Sequence, residues 1–352
     1  MRRKLTTIYA TLCLLLMVGG SVLVFGFAMS KGIEETIKSL IGLVYGFLLA
    51  PIFHELGHVA FARIAKMEEV YVKCFCFTFT KLQGKWKFGF ISPFAPDQTQ
   101  VIPKSGGNMQ ARAKLYTIGG LVFGGGLLFI IGIGLIVCSL LGATPFVLWG
   151  MLPYSAYLFF LNVLPLEYPL GKTDMLVYLG ISKGEDAEKV MVSAMEIQGQ
   201  LFAGKSYAEI DKELYFDLPQ LRMDDPLYTV ILDLRYRYFL EIENLERAGD
   251  CLNRMVQARG YLNEIEYEKL AAELTYLHTL RGDLESAEEC GRECKNYLQS
   301  EEVGAKRILL TFSKTFGQEH AIEPLRKQAE EALEKEWILG VKKAEQILID
   351  RI

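Results

Sequence analysis

Two histidines and a glutamate crowd one short run, Phe53-His54-Glu55-Leu56-Gly57-His58. On a helix, residues i and i+4 share a face, so both imidazoles can reach one metal ion. Glu55 stands beside them and can take a proton from a water that zinc acidifies to a pKa near 7. The chain holds only four His, and two of them form this pair, which makes coincidence a weak account. The competing account is two polar residues satisfied by neighbouring helices. It is costly in an apolar segment, where three ionisable side chains are expensive without a site to serve.

A catalytic zinc usually takes three protein ligands and leaves one position open. His278 and His320 lie in the charged second half of the chain and are poor candidates for the third ligand. Asp174 is better placed. It follows Asn162-Val163-Leu164-Pro165-Leu166-Glu167-Tyr168-Pro169-Leu170-Gly171-Lys172-Thr173, in which Pro165, Pro169 and Gly171 break an apolar helix. Broken backbone at membrane depth is tolerated inside protein or against a water-filled cavity, and a carboxylate just past the break can turn back toward a metal. Two alternatives stay open: Asp174 as a plain helix N-cap, and Glu167 as a rival ligand.

The elements that must position these groups are apolar. Four stretches are long enough for a transmembrane helix of roughly 20 residues, at about 6–29, 37–65, 115–142 and 145–165. The first follows Arg2, Arg3 and Lys4 as a signal peptide would, but its apolar run is too long and lacks a small-x-small cleavage site, so it is expected to be retained. The 66–114 loop carries eight basic residues against three acidic ones, while the Gly142–Thr144 link has no charge. The positive-inside rule therefore puts the loop and both termini in the cytoplasm of a multi-pass cell-membrane protein. If the second helix starts near Ile37 on the outer side, His54 lies about 25 Å along it, in the cytoplasmic half of the bilayer. Within the loop, Val70–Thr80 and Lys85–Ile91 have β-like composition about a turn at Gly84, which reads as a small membrane-associated β-hairpin. The loop is too short for an inserted peptide-binding domain of about 90 residues.

The whole-chain charge of −4 conceals an asymmetry: residues 1–180 hold 15 Lys+Arg against 8 Asp+Glu, and residues 181–352 hold 23 against 34. The fold class expected is thus an α-helical membrane domain at 1–181 and an all-α soluble domain at 182–352. No basic tract with interleaved aromatics points to nucleic acid. The seven Cys show no framework spacing and read as free thiols of a reducing compartment. Cys74 and Cys76 are expected on one face of a strand. In the second half, Leu234, Tyr236, Leu245 and Ala248 are echoed by Leu274, Tyr276, Leu284 and Ala287, and Arg281-Gly282-Asp283-Leu284-Glu285-Ser286-Ala287 resembles the inter-helix turn of tetratricopeptide-like repeats. Such repeats offer a concave surface to a protein partner; an ordinary helical bundle whose Leu and Tyr stripe is core is the alternative.

His54-Glu55-Leu56-Gly57-His58 in a membrane helix, with Asn162-Val163-Leu164-Pro165 and a later Asp174, resembles the site-2 protease family of intramembrane zinc metalloproteases over about residues 37–180. The glycines of Gly119-Gly120 and Gly124-Gly125-Gly126 resemble the start of that family's middle core helix. The resemblance implies His54, His58 and Asp174 as zinc ligands, Glu55 as general base and Asn162 as a substrate-positioning residue. Asp174 is followed by Met175 where the family has Gly, and the Pro165–Asp174 segment is longer than the compact motif. The function expected is a zinc-dependent endopeptidase acting on a membrane-protein substrate. An inactive membrane adaptor presenting the helical domain is the alternative, though a scaffold has no need of Glu55. A transporter would spread polar groups along a path, and here they gather at one depth.

Overall fold

The computed structural model describes residues 2–82, 84–92, 97–168 and 171–352. Long apolar runs become four helices: α1 (Arg2–Lys31), α2 (Ile33–Ile64), α3 (Met109–Leu140) and α4 (Phe146–Val163). All four are long and apolar enough to cross a membrane, and each overlaps one of the four expected stretches, which overrun α2, α3 and α4 by one or two residues at an end. Their outer surfaces leave large apolar side chains bare, with Leu23 75%, Phe129 69% and Leu140 82% exposed. A surface of that kind suits lipid, which solvates apolar groups as a soluble protein's surroundings cannot.

Association between apolar helices in lipid rests on close van der Waals contact, which small residues permit. On α2, Gly42, Gly46 and Ala50 recur at intervals of four, and a Cβ added at Gly42 would stand 2.0 Å from the Val147 carbonyl oxygen of α4. On the other side, α2 meets α3 at Gly57, where an added Cβ would lie 2.2 Å from the Gly119 carbonyl oxygen. Ala50, Leu127, Ile131 and Met151 form the buried centre of this packing. The helix bearing His54 and His58 is therefore wedged between two others.

The loop after α2 is a larger structure than the expected hairpin. It forms a four-stranded sheet in the order β3-β2-β1-β4, from β1 (Met67–Cys74), β2 (Phe77–Leu82), β3 (Lys85–Phe90) and β4 (Gln98–Pro103). The run Val70–Thr80 is two antiparallel strands, turning at Phe75 with φ 56°. A long-range clasp holds the turn: the Phe75 N–H donates to Asp97 Oδ1 at 2.7 Å, and Lys73 Nζ donates to the Phe75 carbonyl at 2.6 Å and to Asp97 Oδ1 at 2.8 Å. Cys76 thus lies in the turn, not on the strand face of Cys74. Phe77 pairs with Phe90 and Phe79 with Phe88 across β2 and β3, making an exposed aromatic face.

The chain divides into two compact units, 1–102 with 110–185, and 103–109 with 186–352. In the second unit, Ser105-Gly106-Gly107 packs on α6 (Asp186–Phe202): the Gly107 N–H donates to both Glu196 carboxylate oxygens at 2.8 Å, and a Cβ at Gly199 would stand 2.6 Å from the Ser105 carbonyl oxygen. After the short α7 (Glu213–Phe216) come the pairs α8 (Pro226–Glu241) with α9 (Leu245–Gln257) and α10 (Glu264–Leu280) with α11 (Leu284–Glu293). The short α12 (Lys295–Leu298) precedes α13 (Val303–Thr315) with α14 (Glu319–Lys335), and α15 (Leu339–Asp350) follows. Each pair turns through three residues with a left-handed one in the middle, Glu243, Gly282 and Gly317. Asn244 and Asp283 cap the second helices of the first two pairs. The repeated Tyr236, Ala248, Tyr276 and Ala287 are all buried.

Among the core side chains is a charged cluster. Arg307 of α13, wholly buried, donates from Nε to Glu345 Oε2 of α15 at 2.7 Å and from Nη2 to Glu273 Oε1 of α10 at 3.1 Å. Arg237 Nη1 of α8 lies 2.9 Å from Glu273 Oε1, and Tyr236 Oη donates to Glu273 Oε2 at 2.6 Å.

Candidate metal centre

The second half of α2 carries His54, Glu55 and His58, and their ring and carboxylate positions follow from the helical period. The fourth partner arrives by a less obvious route. Leu164, forced toward extended backbone by the proline after it, ends α4 with φ −93° and ψ 144°. The chain then makes a two-stranded ribbon, Glu167–Tyr168 against Gly171–Lys172; Pro169, one of the expected helix breakers, lies outside the described residues. Thr173 closes the ribbon. Its N–H donates to Leu166 O at 3.0 Å, its hydroxyl donates to Leu164 O at 2.8 Å, and that same oxygen accepts from Leu176 N at 3.3 Å. Thr173 is therefore the N-cap of α5 (Asp174–Lys183), and the Asp174 carboxylate is not needed there. This ribbon takes up the extra length between Pro165 and Asp174.

Asp174 Oδ2 lies 3.2 Å from His54 Nε2 and 3.3 Å from His58 Nε2. The two rings stand 5.0 Å apart, nearly perpendicular, and the three ligand atoms lie within 4.8 Å of one another. Tetrahedral ligands at zinc distances are separated by roughly 3.3 Å, so the donor set fits a small divalent ion. Asp174 Oδ2 is buried without a hydrogen-bond partner among the described residues, and a buried polar atom of that kind calls for one.

Neighbouring backbone completes the arrangement. The Tyr116 carbonyl oxygen of α3 stands 3.2 Å from His58 Nδ1, so with the proton on Nδ1 the ring presents its Nε2 lone pair to the cluster. A backbone carbonyl in this role is a common orienting partner of a metal-binding histidine. Glu55, 5% exposed, accepts at Oε2 from the Thr99 hydroxyl of β4 at 2.6 Å. Gly120 of α3 faces the rings: an added Cβ would lie 2.5 Å from His58 Nε2 and 2.8 Å from His54 Nε2. Gly120→Ala is therefore expected to weaken metal binding by on the order of 10–100-fold, as for disrupted supporting groups at metal sites. Alanine favours helix over glycine, so the fold is not opposed. Metal content and circular dichroism of the purified variant check this; wild-type metal affinity would remove Gly120 from the site.

Other residues singled out in the sequence lie elsewhere. Asn162 donates from Nδ2 to Leu158 O of its own helix at 3.2 Å, and the cluster does not include it. Glu167 is exposed opposite Lys172 in the ribbon and is not in the cluster either. His278 Nδ1 pairs with Asp283 at 3.3 Å, and His320 is exposed, both in the helical unit. Sequence reasoning passed over Thr99 and Tyr116. The alternation of Gln98-Thr99-Gln100 was a faint sign of a strand with Thr99 turned inward; the Tyr116 role is played by its backbone, which leaves no trace in residue type. No family model matches the chain, and no curated protein or solved structure matches it.

Proposed function

We propose that the chain is an intramembrane zinc endopeptidase, with His54, His58 and Asp174 holding the ion and Glu55 moving the proton. One observation carries this reading: a buried Asp174 oxygen with no hydrogen bond, equidistant within 0.1 Å from two imidazole nitrogens. Two His, one carboxylate and a fourth open position form a common donor set for catalytic zinc. Bound there, the ion would supply Lewis-acid polarisation of a peptide carbonyl and acidify a water. The protein's own share is orientation and proton transfer. Glu55 accepts the proton of the attacking water and returns it to the leaving amine. Its burial keeps bulk water from competing for that proton. A helical substrate hides its carbonyls in its own hydrogen bonds, so it must be partly unwound before reacting.

The test is metal analysis alongside cleavage of a membrane-embedded substrate by purified protein. We expect one zinc per chain in the wild type and a large loss of zinc in both His54→Ala and Asp174→Ala. Full zinc content in Asp174→Ala would strike Asp174 from the ligand set. Zinc-loaded wild type that cleaves no membrane substrate would favour a scaffold.

The same reading places both termini and the sheet in the cytoplasm, with the aromatic face of β2 and β3 at the membrane interface. The excess of Lys and Arg in residues 66–114 supports this orientation. Cysteines introduced at Lys85 and at Ile352 should both react with membrane-impermeant reagent only after the cells are opened. Labelling of either in intact cells would overturn the four-crossing arrangement.

A further inference from the structure

The alternating burial of β4 turns Thr99 inward, and its neighbours Gln98 and Gln100 outward. Two independent bonds fix this one residue. Its hydroxyl donates to Glu55 Oε2 at 2.6 Å, and its carbonyl oxygen accepts from the Tyr116 phenol. A 2.6 Å O–H···O contact is the length of a charge-assisted bond to a carboxylate. Thr99 is 8% exposed and Glu55 is 5% exposed, so water does not readily replace that bond. Tyr116 also offers its carbonyl to His58 Nδ1. One residue of α3 thereby restrains both a histidine of the cluster and the strand that holds the neighbouring carboxylate.

We propose that Thr99 is a positioning residue for Glu55. This rests on the protease reading above. A glutamate has three side-chain torsions, and a general base must stand within hydrogen-bond reach of the proton it takes. The Thr99 hydroxyl has a single proton, and donating it to Oε2 fixes the plane of the carboxylate while both oxygens keep a lone pair for the water's proton. The carboxylate then need not search for its orientation in each turnover. Tyr116 supplies the rigidity, since a strand free to slide would carry the hydroxyl away.

The test compares Thr99→Val, Thr99→Ser and Glu55→Gln in the full chain, purified with zinc, using a transmembrane model substrate. Removal of a hydrogen bond to a charged group should lower kcat roughly 10–100-fold in Thr99→Val, with KM and zinc content near wild type. Thr99→Ser keeps the hydroxyl and should recover most of that loss. A second readout needs no activity: the infrared carboxylate band that disappears in Glu55→Gln should shift in Thr99→Val and hold its place in Thr99→Ser. Should Thr99→Val not fold, Tyr116→Phe loosens the same strand and is expected to lower kcat and displace the band. Wild-type kcat in Thr99→Val, a band that does not move, or Thr99→Ser as slow as Thr99→Val would each overturn the positioning role. If wild type cleaves nothing while the band still shifts, it is the protease reading that falls, and the hydrogen bond stands without a reaction to serve.

Discussion

Glu55→Gln should leave the fold and the zinc content unchanged and abolish most cleavage. Glutamine nearly matches glutamate in shape and can still accept from Thr99, but it cannot take a proton from water. General acid–base catalysis contributes typically 10²–10⁴-fold, so about 3–5 kcal/mol of transition-state stabilisation should be lost. A merely structural carboxylate would give a different pattern. Glu55 is buried beside two imidazoles, and a structural role predicts a less stable protein with normal turnover per folded, metal-loaded molecule. Turnover of a model membrane substrate, normalised to bound zinc, separates the two. A rate within about threefold of wild type falls far short of the expected loss and would end the proposed mechanism.

The second large effect belongs to the helical unit. Arg307→Ala should destabilise it by about 3–5 kcal/mol, the usual consequence of removing one partner from a buried ion pair. Glu273 and Glu345 would then keep their charges in a dry core with one arginine between them. Hydrogen exchange of α10 and α13 amides in the full chain should quicken by roughly 10²–10⁴-fold, while α2 and α3 are unaffected. The same cluster sets a pH dependence. Burial pushes the Glu273 carboxyl up, but Arg237 and Arg307 outweigh it and bring it down to about 2, from an ordinary 4.5. A carboxyl depressed in the folded state stabilises fully above its unfolded value, and that contribution drains away as pH falls from about 4.5 toward 2. Stability of this unit that is flat between pH 5 and pH 2 would contradict the ionised cluster.

How far the sequence could be read depended on the range of the interactions involved. The helices α1 to α4 were legible because a span of twenty apolar residues is a local property. His54 and His58 were legible because the helical period alone puts them on one face. The turn at Phe75 was not, since it contains no Gly, Pro, Asn or Asp; Asp97, twenty-two positions on, holds it. Strand β4 was missed because Gln98-Thr99-Gln100 is too polar and short to announce itself. Asp174 could be proposed from its place after a helix break, yet the rival N-cap role was dismissed only when Thr173 was seen to fill it. Gly120 was noticed as part of a glycine-rich stretch, and nothing in the stretch tells which glycine faces the imidazoles.

The seven residues Pro103–Met109 belong to the helical unit although 110–185 returns to the other. The backbone therefore leaves the unit holding the histidines directly after β4, folds its glycines against Glu196, and comes back as the helix that carries Tyr116 and Gly120. No single cut can part such a molecule into two self-sufficient pieces. A fragment ending at Glu185 would keep Gly106 and Gly107 but lose the carboxylate that fastens them, leaving a slack loop tied at one end to Thr99 and at the other to α3. The connection between β4 and α3 thus owes its fastening to a carboxylate of α6.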